Sequence, residues 1–149
     1  MPDIDSFFSS DGALALALPD YRMRTQQLEM AQAIAGTIAA NAVLVAEAGT
    51  GTGKTFAYLV PALLVGGKVI ISTGTKTLQD QLFNRDIPTV RAALKAPVTV
   101  ALLKGRANYV CHYHLERTLQ DERASFASRE EAKYLKLIER YAKITQSGD

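Results

Sequence analysis

Apolar positions along the chain follow two alternating rhythms. In TQQLEMAQAIAGTIAAN (25–41), Leu28, Met30, Ala31, Ile34, Ala35 and Ile38 recur at helical spacing, and Asn41 or Gly36 can stop or weaken the helix. AVLVA (42–46) is a short, nearly pure apolar run, the pattern of a strand buried on both faces of a parallel sheet. KTFAYLVPALLVGG, from Lys54, predicts a helix ended by Gly66 and Gly67, with a kink at Pro61, which has no N–H to donate. KVIIST (68–73) predicts a second buried strand. The segment 75–94 predicts a helix in two pieces, broken near Ile87–Pro88. PVTVALL (97–103) predicts a third strand, and after Lys104 strand signals stop. REEAKYLKLIERYAKI (129–144) predicts an amphipathic, charge-laced helix. Strands alternating with helices imply an α/β fold, a parallel sheet with right-handed crossovers.

The composition changes this picture little. The 149 residues suit one domain, and 48% hydrophobic with 21% charged residues is close to a soluble globular average. A net charge of +2 neither demands nor excludes a polyanionic partner. One cysteine, Cys111, rules out an internal disulfide framework and fits a reducing cytosol, so a cytoplasmic location is expected. GALALALP (12–19) resembles an export-signal core, but the acidic MPDIDSFFSSD before it is the wrong flank and the run is too short for a bilayer. A short helix or packed lead-in is expected there, and no membrane partner.

The chemistry concentrates in AGTGTGKT, Ala48–Thr55, between the first apolar run and a helix start. Glycine is costly inside regular structure, so three in this place suggest backbone brought close to a ligand. The strand–loop–helix context is that of a phosphate-binding loop. The N–H groups of Gly49, Thr50, Gly51, Thr52 and Gly53 can line an anion nest, and the helix adds its positive end. Lys54 can reach the β- and γ-phosphates of ATP, and the Thr55 hydroxyl can ligate Mg²⁺. Ala48 stands where the usual pattern opens with glycine, at the turn entry. The plain alternative is a flexible surface loop. Upstream, Arg24 and Gln27 form R-x-x-Q, and a glutamine amide offers the donor and acceptor that an adenine edge matches. Gln27 alone could equally be a solvated helix residue. Downstream, Thr73 and Thr75 in STGTKTLQDQ can hold a sugar–phosphate backbone, or one of Thr75 and Thr77 can simply cap a helix.

With KGRANYVC (104–111) the set is complete. R-x-x-Q, AGTGTGKT, STGTKTLQDQ and KGRANYVC, in this order from about Tyr21 to Leu119, resemble the DinG/XPD family of iron–sulfur superfamily-2 helicases, most closely its bacterial DinG/YoaA-like branch. The resemblance implies a RecA-like motor domain, ATP-driven 5′→3′ movement on single-stranded or forked DNA in repair, and a monomer. It implies that Lys54 and Thr55 serve catalysis, that Arg24, Gln27 and Ala48–Thr55 hold ATP and Mg²⁺, and that Thr73, Thr75 and Arg106 touch DNA. It makes Cys111 the first ligand of a 4Fe–4S cluster.

Three departures follow from the same comparison. His112 stands where relatives often carry proline. A cluster of this kind needs four cysteines, and the acidic box and arginine finger of the motor are missing. The chain is therefore expected to be an N-terminal part of a longer protein: a lead-in (1–20), a partial motor domain (21–103) and the start of an iron–sulfur domain (104–149). Alone, it is expected to be colourless and without ATP turnover, with Glu47 the first acidic candidate should turnover occur. Cys111 can otherwise be a buried small hydrophobe, and CHYH (111–114) lacks ordinary zinc spacing. The competing functions are a P-loop nucleotide kinase or small NTPase without nucleic acid, and a structural piece that binds nucleotide weakly or not at all.

Overall fold

The computed structural model describes residues 4–121 and 129–149, which fall into two units, Met1–Leu102 and Leu103–Asp149. In the first, α1 (Ile4–Phe8) and α2 (Ala13–Ala17) precede α3 (Thr25–Ala39) and α4 (Lys54–Val65). Fully buried Phe8 and Leu14 bring the two short helices into the core. The Tyr21 hydroxyl donates to the Phe8 carbonyl at 2.8 Å, and Gln32 Nε2 donates to Asp5 Oδ1 at 2.6 Å, so the N-terminal segment is tied to α3 and its approach. The Tyr21 phenol is pushed above its usual pKa by burial, with Arg24 pulling the other way.

Helix α3 ends on Ala40, and Asn41 takes φ of 49°, a left-handed value that its short polar side chain tolerates. Helix α4 runs through Pro61 as one element. Ala57, Leu59, Val60 and Pro61 are all buried, and α3 and the later helix Ile87–Leu94 pack against the helix that carries them. After α5 (Lys76–Gln81) the chain continues without a gap. Leu82–Asp86 is wound as a π-helix, and α6 (Ile87–Leu94) resumes the α form. Pro88 lies in the first turn of α6, directly after the π-helical turn, and has no N–H to donate back to that turn. The expected break near Ile87–Pro88 is thus a change of winding.

The expected parallel sheet is not formed: among the described residues there is no strand. The runs 42–46, 68–73 and 97–103 carry no regular secondary structure, and Val43, Val45 and Ile70 are almost fully exposed. The physical reason is the ladder. A strand's N–H and C=O groups are satisfied only by a neighbouring strand, and no backbone bond joins these three runs.

In the second unit, a short 3₁₀ turn (Arg106–Asn108) leads to α7 (His112–Gln120), and α8 spans Arg129–Ile144. The C-terminal residues fold back within this unit. Val110 N–H donates to the Gly148 carbonyl at 2.8 Å, and Lys104 Nζ meets Asp149 Oδ2 at 2.6 Å. On α8, Lys143 and Glu139 pair at 2.6 Å one turn apart, and that bond holds the Glu139 carboxyl below its usual pKa. Among the described residues no helix is long and apolar enough to cross a membrane.

Candidate nucleotide site

The phosphate loop is held from two sides. Gly51 and Gly53 have φ of 78° and 82°, values that an L side chain rarely adopts, and Gly53 is the N-cap of α4. A Cβ on Gly53 would also run into the Gln27 amide, so a side chain here would displace that amide as well as strain the backbone. A Cβ on Gly49 or Gly51 would meet nothing within 4 Å, so at these two positions the loop borders open space.

Gln27, only 4% exposed, donates from Nε2 to the Gly53 carbonyl at 2.9 Å. Arg24, the N-cap of α3, donates from its guanidinium to the Gly51 carbonyl. Lys54, the first residue of α4, donates from Nζ to the Ala48 and Gly49 carbonyls at 2.7 and 2.6 Å. Thr52 Oγ1 donates to the Gly49 carbonyl at 3.0 Å, while Thr50 lies exposed at the turn. Thr55 lies half-buried in the first turn of α4, where a hydroxyl can face a cation held by phosphates.

A cavity of about 280 Å³ opens beside the loop. Leu18, Pro19, Tyr21 and Phe56 give it apolar walls, and Asp20, Arg22, Arg24 and Gln27 give it polar ones. It falls just below the usual range of ligand pockets, about 300–1,000 Å³. Gly53 lines it too, so cavity and phosphate loop share a residue. The walls from 18–22 were not legible as site residues. Their only signal is an aromatic and a proline just ahead of R-x-x-Q.

The arrangement suits a nucleotide triphosphate. Residues 48–55 contain no carboxylate, and they offer an ammonium, free loop amides and a helix N-terminus. A Mg²⁺ would depend on those phosphates and Thr55, because among the described residues no group of three His, Cys, Asp or Glu side chains can hold a metal. The same fact bears on a cluster. Cys111 is the chain's one cysteine, so the chain alone does not fit 4Fe–4S. Cys111 is exposed at the N-cap of α7, which removes the buried-hydrophobe reading.

The remaining candidates stand apart from the loop's bonding. Thr75 is the N-cap of α5, its hydroxyl accepting from Leu78 N–H at 3.2 Å, and Thr73 Oγ1 donates to the Thr75 carbonyl at 3.2 Å. Thr75 therefore has the capping role that the sequence left open. Arg106 is exposed in the 3₁₀ turn of the second unit.

The profile of the DEAD/DEAH box helicase family matches residues 25–116. The chain is 54% identical over 116 residues to "ATP-dependent DNA helicase YoaA" of Haemophilus influenzae, covering 78% of this chain and 18% of that protein. It is 57% identical over 110 residues to the Escherichia coli protein of the same name, covering 74% and 17%. It is 38% identical over 117 residues to "3'-5' exonuclease DinG" of Bacillus subtilis, covering 76% and 13%. The chain thus spans less than a fifth of the length of these relatives. No solved structure matches.

Proposed function

The chain belongs to the DEAD/DEAH box helicase family, and from that premise we propose that it is the N-terminal, nucleotide-binding part of a longer ATP-dependent 5′→3′ DNA helicase of the iron–sulfur type. The observation that carries this reading is the shared residue: Gly53 belongs both to the phosphate loop and to the base-sized cavity beside it. The cavity takes adenine between apolar walls, with Gln27 and Arg24 at its polar side. The triphosphate then lies along the loop amides toward the N-terminus of α4.

The chain's own residues do the following. Lys54 leaves the Ala48 and Gly49 carbonyls for the phosphate oxygens, exchanging two neutral acceptors for charged ones, which make the stronger bonds. The Gly51 and Gly53 carbonyls stay tied to Arg24 and Gln27, which keeps the loop's N–H groups turned toward the phosphates. Thr55 would hold Mg²⁺ by its hydroxyl, and the ion would supply positive charge to the bound phosphates. In the longer protein Thr73, Thr75 and Arg106 meet the DNA backbone, and Cys111 supplies one thiolate of a cluster whose other ligands come from outside this chain. Its DNA is single-stranded or forked, its place is the cytoplasm, and it acts as a monomer.

The test is ATP hydrolysis by the full-length protein, with and without single-stranded DNA. DNA should stimulate turnover, and Lys54→Ala should bring it to the buffer background with the circular dichroism spectrum unchanged. Retained turnover in that variant sinks the assignment of Lys54. Phosphoryl transfer to a nucleotide acceptor, indifferent to DNA, selects the kinase reading instead.

A further inference from the structure

The turn at residues 18–21 forms one wall of the nucleotide cavity, and the N-terminal helices fix both of its ends. The Tyr21 N–H donates to the Leu18 carbonyl at 3.0 Å, closing a four-residue turn with Pro19 and Asp20 at its centre. A proline's locked φ suits the second position of such a turn. At one end, Leu18 is the C-cap of α2, and its N–H donates to the Leu14 carbonyl at 3.0 Å. At the other, the Tyr21 hydroxyl donates to the carbonyl of Phe8, the last residue of α1, at 2.8 Å. The phenol oxygen is thus engaged within the fold, and the ring is what Tyr21 offers to the cavity.

The helices that hold the turn are themselves packed. Phe8 and Leu14 are fully buried, α1 lies against α3, and α2 lies against α6. Helix α3 carries Gln27, on the polar side of the same cavity, so α1 joins two of the cavity's walls. The bond from Gln32 to Asp5 ties that join. Buried Gly12 makes the corner between α1 and α2. A Cβ there would run into the Ser6 carbonyl oxygen and come within 2.9 Å of the Phe7 carbonyl oxygen. These are backbone atoms, which cannot swing aside as a side-chain tip can. The corner therefore requires glycine, although the lining of the cavity begins only at Leu18.

We infer that α1 and α2 are a brace for the base-binding wall, and that the Tyr21 hydroxyl, by its bond to Phe8, positions that wall and so sets the base-dependent part of nucleotide affinity. This rests on the functional reading above. A wall ordered before the ligand arrives has no ordering cost left when it binds. The phosphate loop has its own ties to Arg24, Gln27 and Lys54, so its grip on phosphate does not depend on the brace.

The experiment measures the affinity of the full-length protein for ATP and for inorganic triphosphate, both with Mg²⁺, by competition with a fluorescent ATP analogue. Tyr21→Phe keeps the ring and removes the bond to Phe8. It should weaken ATP about three- to tenfold, the range for one hydrogen bond, and leave triphosphate unchanged. Gly12→Ala alters no residue of the cavity lining and should weaken ATP alone in the same way. The two together should lose less than the product of their separate effects, because both act through one brace. A role in folding alone would weaken both ligands alike, and that result overturns the inference. If Gly12→Ala does not fold, Tyr21→Phe still decides. Unsubstituted protein that prefers ATP to triphosphate, joined to a Tyr21→Phe variant with the same preference, overturns this inference alone. Unsubstituted protein with no preference for ATP overturns the reading of the cavity as a base site and this inference with it.

Discussion

Leu59 and Val60 in α4 are fully buried, whereas Val45 and Ile70, in the runs that flank α4 on either side, are 94% exposed. The four side chains are alike in chemistry, and each was expected to face a core. They differ in the element that carries them. A helix closes its backbone bonds within four residues, so α3, α4 and α6 need only each other's apolar faces. An extended run closes no bond of its own and waits for a neighbour along both edges. The helical faces are thus packed within residues 4–94, and the runs 42–46 and 68–73 leave apolar side chains exposed. In the proposed longer protein, further strands would cover them and complete the RecA-like sheet.

Three substitutions test that contrast, beginning with the largest effect. Leu59→Ala removes a fully buried side chain from the packed helices and should destabilise the chain by about 2–5 kcal/mol. Urea unfolding followed by helical circular dichroism checks it, and a loss under about 1 kcal/mol would mean that the helices are not packed as described.

Gln27→Ala comes next. It removes a buried amide that holds the Gly53 carbonyl and lines the cavity. Nucleotide affinity of the full-length protein should fall about fivefold, roughly 1 kcal/mol. ATP should suffer more than inorganic triphosphate if the amide also meets adenine. Equal losses would assign Gln27 to the loop alone.

The smallest effect is the sharpest for the comparison. Ile70→Thr changes an exposed side chain and should alter the stability of the 149-residue chain by no more than about 0.5 kcal/mol. In the full-length protein the same change should cost clearly more, because there a sheet would bury it. Equal, small effects in both would show that the run at 68–73 stays uncovered.

Much of the site was legible because its signals are local. The loop is a contiguous string, and the glycines that need positive φ, Gly51 and Gly53, are two of its three. The ends of α3 and α4 were marked by Asn41, Gly66 and Gly67. Less legible was the depth of Gln27, which reads as a surface residue beside Gln26 and Glu29 yet is buried against the loop. Asp86 was wholly illegible: in FNRDIP an acidic residue next to an arginine looks like any solvated face. The sheet is not formed among the described residues, since an apolar run shows that a strand can be buried and not that its partner is at hand.

The sequence by itself determined the helices and the phosphate loop, because helix hydrogen bonds, caps and glycine conformations are closed by residues a few positions apart. The tertiary structure alone decided that residues 18–22 wall the cavity, that Gln27 and Arg24 hold the loop 26 and 27 residues away, and that Asp86 lies inside. Those facts depend on which distant surfaces meet, and no short-range pattern records that. Strand pairing obeys the same rule in its strictest form, since every bond in a ladder joins two segments that the chain must first bring together.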